Sequence, residues 1–354
     1  MQERIRRFIE IGEISMDRIL EDDLREVVSN KELFFKLNNK TVLVTGATGL
    51  IGSMLIKCID YANKLYGYNT KIIGQIRNIE KAKEIYGEFY KDILFVTESK
   101  VRCDYIIHTV SPTKSKFFIE NPVETIKSSV LSTIDVLDLA KENNASIVYL
   151  SSMEQYGIPY EKNQIMNEDV IGIIDHLNIR SSYSESKRLC ECLCVSYAKE
   201  YDVDVKIARL AQTFGVCASK EDNRMPIQFA RAVVEEKNII LHTEGKSIIN
   251  FVYLTDAILG ILLILENGDS GETYNVCNDN ETRSVREIAE LVSKEIALSK
   301  IDVQIDVNEN LGYAPDVAMF LDSSKLKRLG WNPHISMKTA YERLVNSIYD
   351  KKNQ

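Results

Sequence analysis

The sequence has 354 residues, 45% of them hydrophobic and 27% charged, which is enough to bury a large core in one large or two unequal domains. A net charge of −8 argues against general nucleic-acid binding, which needs a basic surface, and leaves room only for local basic pockets. The apolar run AILGILLIL at 257–265 is far shorter than the roughly 18 residues of a membrane helix, and the charged N-terminal stretch lacks a secretory apolar region, so a cytoplasmic protein with no membrane partner is expected.

Residues 1–38 read as amphipathic helices with Phe8, Ile9, Ile19, Leu20, Leu24, Val27 and Val28 as apolar points, an N-terminal helical extension that caps the core or joins a subunit interface. From Thr41 the rhythm changes: TVLVTGATGLIG is a strand, a glycine turn and a helix running to about Lys64. KIIGQIR at 71–77 is a strand, 79–90 a helix, 93–96 a short strand and 103–110 another strand. A long helix over 121–143, a strand over 145–152, a helix over 181–201 and a strand over 203–215 complete the alternation. Strands alternating with helices of this length imply an α/β fold with a doubly wound parallel sheet. Beyond Gly215 the pattern loosens into a helix over 225–239, a strand-to-helix stretch at 251–268, a helix over 284–300, a short strand at 301–307 and a mostly helical tail. The expected division is a Rossmann-type domain of 39–215 with about 248–277, and a smaller C-terminal substrate domain of 216–247 and 278–354.

Gly46, Gly49 and Gly52 lie between a strand and a helix, the context in which glycines let a backbone approach a pyrophosphate at a helix N-terminus. Thr48, Leu50 and Ile51 fill the same turn and join them as expected cofactor contacts. Tyr183 and Lys187 are four apart on a helix and share a face. A free tyrosine ionises near pH 10, so acid–base work near neutrality needs a cation close by. Ser152, at the end of the strand VYLSS, precedes Tyr183 by 31 residues. The seven cysteines contain no CxxC pair, and Cys190, Cys192 and Cys194 splay around a helix, so reduced thiols and no metal site are expected. His108 ends a strand without a visible partner and reads as structural.

TGATGLIG (45–52), SSMEQYG (151–157), YSESK (183–187), RLAQTFG (209–215), FVYLTDA (251–257), YNVCND (274–279) and LGWNP (329–333) together resemble the extended short-chain dehydrogenases/reductases that modify nucleotide-sugars, over about residues 40–345. The resemblance implies a Rossmann domain with a small nucleotide-sugar-binding domain, and a homodimer through helices that include the Tyr-Lys one. It also implies that Ser152 holds the reacting sugar oxygen, that Tyr183 passes the proton as hydride moves, and that Lys187 binds the nicotinamide ribose and lowers the tyrosine pKa.

The sequence departs from that pattern at several positions. NAD-using relatives usually end the second strand on Asp, whereas here the run is Gln75-Ile76-Arg77-Asn78, so Arg77 and Asn78 become expected cofactor contacts and NADP(H) is favoured, with NAD(H) possible. The two residues after Ser152 are Met153 and Glu154, where related dehydratases carry Asp and Glu; Glu154 remains a candidate base or a substrate-binding carboxylate. Ile249 stands where related decarboxylases carry an arginine facing the nucleotide-sugar's charge. Gln212 replaces a common Asn near the pyrophosphate, and Met153, Gln212, Arg224 and Lys246 are candidate substrate contacts, the last two equally readable as surface charges. These departures lead to an expected NADPH-dependent reductase of a keto nucleotide-sugar, and the resemblance implies a product that feeds cell-surface polysaccharide. The alternatives are a redox-neutral epimerase, dehydratase or decarboxylase that uses Glu154, and a non-catalytic cofactor-binding scaffold.

Overall fold

A computed structural model describes residues 17–98, 100–112, 115–219, 221–308 and 316–353; Phe8 and Ile9 lie outside them. The first helices are α1 (Arg18–Val28), capped by the Asp17 carboxylate accepting from the Ile19 and Leu20 amides, and α2 (Lys31–Lys36). Leu24, Val27, Val28, Phe34 and Leu37 are fully or almost fully buried in the main core. These helices therefore cap the core.

The central sheet has seven strands: β1 (Thr41–Thr45), β2 (Lys71–Gln75), β3 (Leu94–Val96), β4 (Tyr105–His108), β5 (Ser146–Ser152), β6 (Val205–Leu210) and β7 (Thr273–Val276). Their order is 7-6-5-4-1-2-3 and every pairing is parallel. The order reverses between β1 and β4, the switch point at which open α/β sheets leave a crevice for ligands. The runs are near-continuously apolar because helices cover both faces. On one face α3 (Leu50–Tyr66) and α8 (Leu254–Asn267) bury Met54, Leu55, Ile59, Ile258, Ile261 and Leu265. On the other, α5 (Pro122–Asn143) and α6 (Ser181–Tyr201) bury Val136, Leu137, Cys190 and Cys194. A third apolar cluster joins Phe214, Phe251 and Tyr253 to residues of α7 (Met225–Val234) and α9 (Met337–Asn353).

Four expected elements end or divide where the backbone finds other partners. The stretch 203–215 is two strands: after β6 the Ala211 amide donates to Val276 and the Gln212 amide to Asn250, so Gln212–Phe214 pairs with Phe251–Tyr253 in a separate sheet. Helix α7 stops at Val234; Glu236 takes a left-handed φ of 53°, and Ile239–Leu241 becomes a strand beside Val303–Ile305. Helix α4 (Ile79–Tyr86) stops before Gly87, also at positive φ, and continues as a 3-10 turn. The helix expected over 284–300 is α-helical from Val285 to Leu291 and then widens into a π turn at Val292–Ile296.

Candidate active site

At the switch point β1 gives way to a turn that only small residues fit. Gly46 has φ +65°, and a Cβ there would sit 2.7 Å from Thr109 Oγ1 on the loop after β4. A Cβ on Gly52 would lie 2.6 Å from the Gly46 carbonyl oxygen. Gly49 caps α3 with no side chain across the helix's free amides. This cradle suits a dinucleotide pyrophosphate, which would sit against the α3 N-terminus with Thr48, Leu50 and Ile51 around it. Arg77 and Asn78 are exposed just past β2; Asn78 already uses its side-chain oxygen to cap α4, accepting from the Lys81 amide at 3.0 Å.

The second half of the site gathers at the ends of β5 and α6. Ser152 ends β5, and its hydroxyl accepts from the Glu154 amide at 3.3 Å in the 3-10 turn Met153–Tyr156. Tyr183 sits in the first turn of α6, stacked on Phe118 with centroids 4.4 Å apart. One turn on, Lys187 is buried and donates through Nζ to the Leu150 carbonyl at 2.8 Å, 5.8 Å from the centre of the Tyr183 ring. Burial lowers the Lys187 pKa to about 8, so the ammonium is still mostly protonated at neutral pH.

Burial pushes the Tyr183 phenol well above its ordinary value, and the nearby charge of Glu154 pushes it further; the Ser152 and Ser111 hydroxyls and Arg224 act in the opposite sense. Glu154 is itself raised by burial, with Arg180 opposing. The expected quartet Ser152, Glu154, Tyr183 and Lys187 is thus brought together. The negative charge of Glu154 is near enough to Tyr183 to raise its pKa further.

The other candidates are placed differently. Gln212 has a buried side-chain oxygen with no hydrogen-bond partner among the described residues. Arg224 clasps Asp222 at 2.7 Å and donates to the Thr213 carbonyl at 2.8 Å while its charge still reaches Tyr183. Met153 packs into the main core cluster. Lys246 is exposed and ion-paired with Glu244. His108 holds Thr45 Oγ1 at 2.7 Å, and burial lowers its pKa to about 3. All seven cysteines are free. Among the described residues no cluster of His, Cys, Asp and Glu could hold a metal, and no helix is long and apolar enough to cross a membrane. The sequence reading missed Ser111, Phe118 and Arg180. The first two reach Tyr183 only through the fold, whereas Arg180 was visible as a basic residue one turn before the Tyr-Lys pair.

Residues 42–277 match the model of the NAD dependent epimerase/dehydratase family. A UDP-glucuronic acid decarboxylase 6 of Arabidopsis thaliana is 31% identical over 313 residues, 86% of this chain and 87% of that protein. Among solved structures, a UDP-glucuronic acid 4-epimerase from Bacillus cereus, in complex with UDP-glucuronic acid and NAD, is similar with a TM-score of 0.72 at 21% identity, over 89% of this chain and all (100%) of that one. RMD from Pseudomonas aeruginosa, complexed with NADPH, is similar with a TM-score of 0.67 at 18% identity, over 88% of this chain and 100% of that one. The chain belongs to the NAD dependent epimerase/dehydratase family and is an enzyme of the extended short-chain dehydrogenase/reductase type.

Proposed function

We propose that the enzyme converts a nucleotide-linked uronic acid without net redox change, and that the conversion is a decarboxylation. The observation that carries this reading is Glu154, a half-buried carboxyl group two residues after Ser152 whose charge acts on Tyr183, a group available for the proton step of a decarboxylation. Support also comes from the relatives named UDP-glucuronic acid decarboxylase, which align over most of this chain at 26% to 31% identity. The net reduction and NADP(H) preference expected from Arg77 find no such support, and either NAD or NADP suits the glycine cradle.

Held at the glycine turn with Lys187 on its ribose, an oxidised nicotinamide would supply the acceptor and later the donor of a hydride and a positive charge that favours the ionised phenol. Ser152 holds the sugar hydroxyl and Tyr183 takes its proton, with the Lys187 ammonium favouring the phenolate. Oxidation next to the carbon that bears the carboxylate makes a β-keto acid. Carbon dioxide leaves, its bonding electrons pass to the keto oxygen, and the Tyr183 hydroxyl donates a hydrogen bond to that oxygen. Glu154, whose pKa burial raises, delivers a proton to the carbon that carbon dioxide has left. Tyr183 gives its proton back to the oxygen as the ring carbon is reduced again, and no reductant is consumed.

Two further parts belong to this proposal. A homodimer through α5 and α6 would cover the exposed Val123, Leu131, Leu189 and Val195. A cytoplasmic setting accords with seven free cysteines. The test is to incubate purified enzyme with UDP-glucuronic acid and substoichiometric NAD, following product mass, carbon dioxide and nicotinamide absorbance. Many turnovers with carbon dioxide released and no net reduced cofactor support the reading. No conversion of the acid, or one oxidised or reduced cofactor per product, contradicts it.

A further inference from the structure

The arginines on the elements around the reacting side are spoken for, with one exception. Arg188 donates to the carbonyls of Gln155, Tyr156 and Gly172 at 2.7 to 3.0 Å. Arg209 forks onto Glu191, and Arg224 onto Asp222. Arg180, half-buried at the start of α6, makes no ion pair and no side-chain hydrogen bond with any described residue.

Its backbone is nevertheless fixed. The Asn178 side chain accepts from the Arg180 amide at 3.0 Å, the Asp175 side chain accepts from the Leu177 amide at 3.0 Å, and the Ser181 hydroxyl donates to the Asp175 carbonyl at 2.7 Å. These bonds hold the turn and leave the guanidinium uncommitted. Arg180 precedes Tyr183 by three residues, so the two lie on one face of α6 about 4.5 Å apart along its axis. Its charge reaches Glu154 without closing an ion pair. A half-buried guanidinium with no partner among the described residues is available to an anion that a ligand brings. Ile249, half-buried and paired across two short strands with Arg283, contributes no charge of its own.

We infer that Arg180 is the specificity-determining residue that recognises a carboxylate on the sugar, and so selects a nucleotide-linked uronic acid over the neutral sugar. This deepens the proposed function and rests on its reading of the site as one for a nucleotide-sugar. The anion belongs on the sugar, not the diphosphate, because Arg180 shares its face with Tyr183, the group at the reacting carbon. A carboxylate that takes up Arg180 also offsets the one cation that opposes the upward push of burial on the Glu154 pKa.

The test measures binding, not turnover. The uridine diphosphate esters of glucuronic acid and of glucose differ only in the carboxylate, and their dissociation constants are compared by calorimetry for the enzyme and for Arg180→Gln and Arg180→Lys. The expected result is that the acid binds on the order of 10- to 100-fold tighter than glucose, the range of a charge-assisted hydrogen-bonded pair. Arg180→Gln erases the difference while leaving UDP-glucose affinity within about twofold, and Arg180→Lys restores part of it. Equal affinities in the enzyme, or a difference that survives Arg180→Gln, overturns the inference. Catalysis separates the two claims: discrimination lost in Arg180→Gln by an enzyme that releases no carbon dioxide sinks only the proposed reaction. Decarboxylation by an enzyme whose preference ignores Arg180→Gln sinks only this assignment.

Discussion

Two polar clusters border the C-terminal end of β5, and they differ in how completely their charges are used. Beneath the site, Arg209 donates through Nε and Nη2 to Glu191 and through Nη1 to the Tyr156 hydroxyl and the Glu168 carbonyl. Glu191 also accepts from the Ser151 hydroxyl, and Tyr156 donates to Asn275 Oδ1 at 2.9 Å. Every partner in this set is inside the protein, and it ties β5, α6, β6 and β7 together. In the site, Glu154, Arg180 and the Gln212 oxygen have no side-chain hydrogen bond or ion pair among the described residues. A saturated buried network holds a fold in place, whereas an unsaturated one of similar composition reserves its valences for a ligand. Residue type alone does not separate them, since each contains a Glu and an Arg.

The comparison can be broken from either side. The largest effect is expected from Glu154→Gln, which keeps the shape and removes the acid. Turnover should fall by roughly 10²- to 10⁴-fold with little change in melting temperature, as read by product assays and thermal denaturation. Arg209→Met should do the reverse, lowering stability by about 3 to 5 kcal/mol in denaturant titrations because Glu191 is left buried and uncompensated. Should Glu154→Gln unfold the protein, or Arg209→Met leave stability intact, the distinction between the clusters fails.

A third charged group sharpens it. Asp23 of α1 accepts from the Tyr253 hydroxyl at 2.7 Å and pairs with Arg343 at 2.8 Å, while its neighbour Glu26 meets Arg343 at 2.7 Å and His334 at 2.9 Å. Burial outweighs these partners and raises the Asp23 pKa from an ordinary 3.8 to about 6. The folded state therefore binds this proton more tightly than the unfolded chain. The contribution of Asp23 is fully present below pH 3.8 and declines as pH rises to about 6, by about 3 kcal/mol. Comparing denaturation of the protein with that of Asp23→Asn from pH 4 to pH 7 should show the variant gaining relative stability as pH rises; a constant difference contradicts the assignment. The smallest effect is expected at Lys246→Ala, with no measurable change in melting temperature or in UDP-glucose binding, because its partner Glu244 is an exposed surface carboxylate. A clear loss of binding would return Lys246 to the substrate.

The parts of the site that were legible in the sequence sit within short contiguous stretches. Gly46 to Gly52, Ser152 to Glu154 and Tyr183 to Lys187 each fix their geometry through one turn or one helix, so spacing is enough to place them. The limits of α6 were readable for the same reason. What escaped the sequence depends on partners distant along it. The apolar run through Ala211 and Gln212 shows no sign that its amides pass from β7 to Asn250, and Glu236 reaches left-handed backbone without a glycine to announce it. The N-terminal helices read as an appendage because Glu26, His334 and Arg343 meet only after folding. Arg180 was visible as a residue, but its significance lies in lacking a partner, which a sequence does not show.

The central claim is that hydride leaves the sugar and returns to it while carbon dioxide is lost. It is tested most directly with UDP-glucuronic acid deuterated at every ring carbon, incubated in ordinary water with unlabelled cofactor, and with the product examined by mass spectrometry. The account predicts a product that has lost carbon dioxide, retained all of its ring deuterium and gained one hydrogen from solvent. A product that keeps its carboxylate and carries a hydrogen from the cofactor in place of ring deuterium would contradict it.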